Sequence, residues 1–139
     1  MTLITKLQTG ALAFVLAVAC TGDSLSPSEV AGTYHATLFT LTEPTQTRDV
    51  LAAGGELTIT LLDNAETSGR LFIPASITGT SDVDEAMTGT FMISGTTLRF
   101  NNQAADTFVR DMSFRIEGVT LRGSANFGGP TITVTLTRS

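Results

Sequence analysis

The last stretch of the chain, TITVTLTR over residues 131–138, alternates strictly: Thr131, Thr133, Thr135 and Thr137 on one side, Ile132, Val134 and Leu136 on the other. A repeat of two residues puts one face of an extended strand in water and the other in a core. The same rhythm recurs from Gly32 onward, and no segment sustains helical spacing of apolar residues. It predicts eight strands, over 32–41, 56–62, 70–74, 87–94, 97–101, 107–117, 119–127 and 131–138. Asp63-Asn64, Ser94-Gly95, Glu117-Gly118 and Gly128-Gly129-Pro130 supply the residues that tight reversals need, so strands adjacent in sequence should pair antiparallel.

Eight such strands can pack as a β-sandwich or close into an up-and-down barrel, and closure removes the exposed sheet edges. The expected class is all-β: an eight-stranded antiparallel barrel, with the sandwich as the alternative. By parity the inward set is Tyr34, Ala36, Leu38; Leu57, Ile59, Leu61; Leu71, Ile73; Gly89, Phe91, Ile93; Leu98, Phe100; Phe108, Met112, Phe114, Ile116; Val119, Leu121, Gly123, Ala125, Phe127; and Ile132, Val134, Leu136. Residues 42–55 and 75–86 read as rim loops, acidic or rich in threonine. One short helical turn is expected before the first strand. Ser26-Pro27-Ser28-Glu29 has capping-box spacing with proline at the first helical position, and Gly32 follows closely enough to stop it.

The amino-terminal region is of another kind. Lys6, the only lysine, precedes residues 10–19 (GALAFVLAVA), which carry no polar side chain. This is the order of an export signal, and the apolar run is far shorter than the roughly 20 residues a membrane-spanning helix needs. The chain's single cysteine, Cys20, comes directly after Ala17-Val18-Ala19. Leu16-Ala17-Val18-Ala19-Cys20 resembles the lipobox of bacterial lipoproteins. The alternative is an unmodified thiol beside an ordinary Ala-x-Ala cleavage site, but an exported thiol with no internal disulfide partner is a liability that lipidation removes. The resemblance implies a Cys20 carrying several acyl chains, enough for stable anchoring. Thr21, rather than aspartate, after the cysteine implies an outer-membrane destination facing the periplasm in a Gram-negative host. The expected organisation is a signal peptide over 1–19, a lipidated tether over 20–28 and one barrel domain over 29–139.

Arg138 shares the inward parity of Ile132, Val134 and Leu136, and a buried charge needs partners. A helical turn leading into Gly32-Thr33-Tyr34, with an arginine late in the final strand, resembles the lipocalin and wider calycin pattern. That resemblance implies a barrel closed at one end by Arg138 packed over Tyr34, next to Gly32. It also implies an interior able to bind a small hydrophobic or amphipathic molecule.

Seven arginines face thirteen carboxylates from residue 20 onward, a formal −6 with no basic cluster, which disfavours nucleic acid. His35, the only histidine, falls on the outward parity of the first strand, which argues against an acid–base site. No clustered His and Cys offers a zinc site, and Asp82-Val83-Asp84-Glu85 lacks the glycine and the ligand set of a calcium loop. No cofactor, metal or catalytic residue is expected. The expected function is that of a non-enzymatic, membrane-anchored envelope protein whose barrel binds a small ligand through Tyr34, Phe91, Phe100, Met112 and Phe114. Arg110 would meet an anionic end of that ligand, unless a bulge turns it outward. The alternative is a structural or interaction protein with a solid barrel, in which phenylalanines fill the space left by Gly89, Gly123, Ala36 and Ala125.

Overall fold

The computed structural model describes residues 23–102 and 107–139, with Asn102 described by its backbone alone. A one-turn helix, α1 (Pro27–Val30), leads into β1 (Gly32–Glu43), β2 (Gln46–Asp49), β3 (Glu56–Leu61) and β4 (Glu66–Ile73). Then come α2 (Ala75–Thr78), β5 (Val83–Ala86), β6 (Gly89–Ser94), β7 (Thr97–Asn102), α3 (Phe108–Asp111), β8 (Ser113–Glu117), β9 (Thr120–Asn126) and β10 (Thr131–Arg138). Pairing runs β1-β3-β4-β6-β7-β8-β9-β10 and returns to β1, all antiparallel. The protein is therefore an eight-stranded closed barrel of lipocalin-like layout, not a sandwich. Closure is by a long ladder from Tyr34↔Arg138 to Thr42↔Thr131.

β2 and β5 lie outside this circuit. The first part of β1 pairs with β3 and its last four residues with β2; β4 begins against β6 and ends against β5. Residues 42–55 and 75–86 are thus not plain loops. They form a hairpin, a helical turn and a strand that extend one end of the barrel, and they bring Val50, Ile77 and, just beyond β5, Met87 into the core.

Parity holds wherever the ladder is regular. Leu57, Ile59 and Leu61 in β3, Leu98 and Phe100 in β7, and Ile132, Val134 and Leu136 in β10 are all buried. It fails where the ladder is not regular. Between Ala36 and Leu38 the register against β10 shifts by one residue, a bulge that reverses the sides thereafter: Leu38 is 42% exposed and Phe39 only 1%. Val119 and Phe127, expected inside, lie just beyond strand ends and are exposed.

The expected strand over 107–117 is corrected as well, because its first part is α3. There the repeat is helical: Val109 and Met112, three apart, are both buried, while Arg110 between them is exposed. β4 starts four residues earlier than its alternation suggested, because Gly69 interrupts the pattern. Gly69 has φ +136°, and a Cβ there would stand 2.0 Å from the Thr58 carbonyl oxygen of β3. Only glycine lets the two strands approach so closely.

Candidate functional site

The end of the barrel where β1 begins and β10 ends is closed by side chains from both. Tyr34 is fully buried, and its hydroxyl donates to the Val30 carbonyl at 2.8 Å. Arg138 lies over the Tyr34 ring, its guanidinium carbon 6.0 Å from the centroid, and Nη1 donates to the carbonyls of Glu29 (3.2 Å) and Ala31 (3.1 Å). These carbonyls, in the last turn of α1 and at its C-cap, have no partner within the helix, so one cation caps the turn and covers the aromatic ring.

Gly32 makes this possible. Its φ is +142°, and a Cβ would meet Arg138 Cδ at 2.6 Å. At the start of α1, the Glu29 carboxylate accepts from the Ser26 N–H (2.7 Å) and hydroxyl (2.8 Å). Those two bonds hold its pKa below the usual glutamate range, the backbone bond first. Burial pushes the Tyr34 phenol up, against the opposing charge of Arg138.

The expected ligand-lining residues divide. Tyr34, Phe91, Phe100, Met112 and Phe114 are all buried in a single apolar cluster. They pack against each other and their neighbours: Phe100 and Phe114 meet edge to face at 5.2 Å. The space left by Gly123 is filled, since a Cβ there would stand 2.5 Å from Met112 Sδ and 3.0 Å from Phe114. Arg110 does not join them. α3 carries it outward, where its Nε lies 3.6 Å from Asp111. At these positions the interior is a packed core, and Arg110 lies outside it.

The remaining candidates are occupied on the outer surface. His35 is exposed, with Nδ1 3.2 Å from the Thr58 hydroxyl. The acidic stretch is dispersed: Asp82 accepts the Ala75 N–H at 2.7 Å, while Asp84 forms two 2.8 Å hydrogen bonds with Arg70. Residues 1–19, Cys20 and the first part of the tether lie outside the described residues. Among the described residues no helix is long and apolar enough to cross a membrane.

Among the described residues, depressions open at both ends of the barrel. One, of about 440 Å³, lies on the β6–β7 hairpin between Met92, Ile93, Ser94, Thr97 and Arg99. The other, of about 260 Å³, sits at the end opposite Arg138, walled by Phe39, Leu41, Val50, Ile73, Ile77 and Ile132 and rimmed by Glu43 and Arg48. Sequence reasoning missed this second site, because Arg48 stood in a segment read as a loop and only the β1–β2 pairing brings it back over the barrel.

Fold and site together define a small up-and-down β-barrel, sealed at one end by an arginine–tyrosine pair. No family model, no curated protein and no solved structure matches the chain.

Proposed function

We propose that the chain is a non-enzymatic lipoprotein of the cell envelope. Residues 1–19 export it, Cys20 is acylated, and the barrel is held at the outer membrane facing the periplasm, where it serves as a solid binding or interaction module. Its working surface is the end away from the membrane, since the packed aromatic interior favours a solid barrel over a ligand-filled lumen.

The observation that carries this reading is where the tether joins the barrel. Ser24 Oγ accepts the N–H of Gly95, in the β6–β7 turn, at 2.8 Å, and Leu25 packs on the core. That turn belongs to the closed end, so four residues of chain keep Cys20 within about 14 Å of it. Three of the exposed large apolar side chains gather at the same end: Leu62 in the β3–β4 turn, Val119 in the β8–β9 turn, and Met92 near the end of β6. Both ends carry carboxylates at the surface, Glu29, Asp63, Glu66 and Glu117 at the closed end and Glu43, Asp49, Asp82 and Glu85 at the other, so the tether and the apolar side chains, not charge, set the orientation. The barrel then stands on the bilayer by its arginine–tyrosine end. Against catalysis, the one histidine is on the outer wall beside a threonine rather than in an acid–base group.

The test is expression of the full chain in a Gram-negative host, with intact mass read on the product. The expected product begins at an acylated Cys20, and Cys20→Ser releases it from membranes. A product cut at the same place with a free thiol overturns the anchoring. Hydrogen exchange on phosphatidylethanolamine–phosphatidylglycerol vesicles should protect the turns at 62–65, 95–96 and 118–119. Equal or greater protection at 44–45 and 127–130 overturns the orientation.

A further inference from the structure

We infer that the outer wall of β6, β7, β8 and β9 is a docking surface for anionic phospholipid headgroups, with Arg99, Arg115 and Arg122 meeting the phosphates and Met92 as the apolar contact beside them. This deepens the anchoring reading and rests on it in one respect, the choice of lipid over other polyanions. Three observations carry it.

The first is the charge that the topology collects. The three arginines are scattered along the chain, so no basic cluster shows in the sequence. Antiparallel pairing brings them together. Arg115 stands directly opposite Arg122 across β8 and β9, and Arg99 in β7 pairs with Ser113, two residues from Arg115 on the same outward face. Directly opposite residues lie about 5 Å apart and diagonal ones about 7–8 Å, so the three side chains share one patch. These four strands carry three arginines and one carboxylate, Glu117, a local +2 on a chain whose formal net charge is −5. β10, next in the barrel, adds outward threonines and no carboxylate.

The second is that folding leaves the patch open. Arg115 and Arg122 are 74% and 62% exposed and share Glu117, at 3.6 and 3.0 Å. Arg99 donates through Nε to the Ser113 hydroxyl at 3.0 Å and has no carboxylate partner among the described residues. Like charges placed opposite each other on a sheet repel, and an anion seated between them relieves the repulsion. The planar fork of arginine suits the oxygens of a phosphate.

The third is the position of the patch. Met92, 68% exposed, pairs with Arg99 and walls the 440 Å³ depression with Ile93, Ser94 and Thr97. An apolar side chain beside a cation matches the boundary between headgroup and acyl chain. The tether fastens to the same hairpin, through Ser24 on Gly95. With Cys20 acylated, the polyanion held nearest this wall is the bilayer itself, which favours lipid phosphate over an acidic protein. The tether then decides which end faces the membrane, and the arginines decide which side of the barrel leans onto it.

The test uses the chain as its host delivers it, in nanodiscs of phosphatidylethanolamine with or without phosphatidylglycerol. NMR reads the arginine Nε–H signals and their broadening by a headgroup spin label. A chain found with a free thiol at Cys20 is instead mixed with vesicles of the same two compositions, so failure of anchoring is read from the mass and failure of this surface from the arginines. Phosphatidylglycerol should shift and broaden Arg99, Arg115 and Arg122 together, and leave Arg70, half exposed on β4 and paired with Asp84, unmoved. Arg99→Gln, Arg115→Gln and Arg122→Gln should each weaken the response about fivefold, the effect of one basic side chain at an anionic surface. Met92→Ser should weaken it severalfold. Circular dichroism should be unchanged in all four, which separates lost docking from lost folding. An equal response in both lipids, shifts at Arg70 as large as those on the wall, or polyglutamate moving the three signals as strongly as phosphatidylglycerol would each overturn the assignment.

Discussion

Tyr34→Phe removes one oxygen from the closed end and leaves the ring and its packing. The hydroxyl is buried and donates to the Val30 carbonyl at 2.8 Å. Losing a neutral hydrogen bond costs about 0.5–1.5 kcal/mol, and an acceptor left dry adds to that, so the variant should be destabilised by about 1–2 kcal/mol. That is a sizeable part of the roughly 5–15 kcal/mol that holds a domain together. In a domain of this size it lowers Tm by about 4–8 °C. Urea unfolding followed by circular dichroism measures it.

A second readout comes free of labels, because Tyr34 is the only tyrosine and the chain has no tryptophan. Phenolate absorbance therefore reports this residue alone. Burial raises its pKa in the fold, so the folded state favours the neutral phenol. The stabilisation that this supplies is complete below the ordinary tyrosine range near pH 10 and is lost as pH rises through the higher folded value. Wild-type stability should fall in that alkaline window while Tyr34→Phe stays flat through it. Arg138→Met, which takes away the charge opposing the shift, should move the phenol higher still in the folded protein. A phenol that ionises at its ordinary pH with the barrel intact, or a Tyr34→Phe cost below about 0.3 kcal/mol, would refute the reasoning.

Gly69→Ala should cost about 3 kcal/mol or more and leave little folded barrel by circular dichroism, because its Cβ would stand 2.0 Å from a ladder carbonyl at a positive φ. Met112→Ala should cost about 2–5 kcal/mol and open a void that takes up a hydrophobic dye, since Met112 fills the space beside Gly123; a negligible cost would mean the interior was hollow. Asp84→Asn should destabilise only slightly at neutral pH, because the pair with Arg70 is half exposed. Arg70 holds the Asp84 carboxyl below its ordinary value, so the difference from wild type should vanish as pH falls through that lowered value, as thermal melts across the acid range would show.

How much of this could be read without coordinates varies by element. β3, β7 and β10 needed only alternation, and their inward residues are the buried ones. The closed end also lay within reach. An inward arginine at position 138 requires acceptors, and the capping-box turn before Gly32 supplies carbonyls at that end. The site around Arg48 did not lie within reach, for its parts come from β1, β2, α2 and β10, which no local pattern links.

Alternation and turn chemistry belong to residues a few positions apart, so the sequence by itself determined that the chain forms antiparallel strands with one wet and one dry face. Which side a given residue takes depends on an unbroken count, and one inserted residue undoes it. The bulge that turns Phe39 in and Leu38 out exists only against β10, and the helical turn that swings Arg110 outward exists only where Val109 and Met112 find the core. Whether small residues leave a hollow is a matter of volume across the barrel. Gly123 leaves room, and Met112 together with Phe114, drawn alongside by β8–β9 pairing, takes it up. Those outcomes depend on neighbours distant in the chain, and only the tertiary structure decides them.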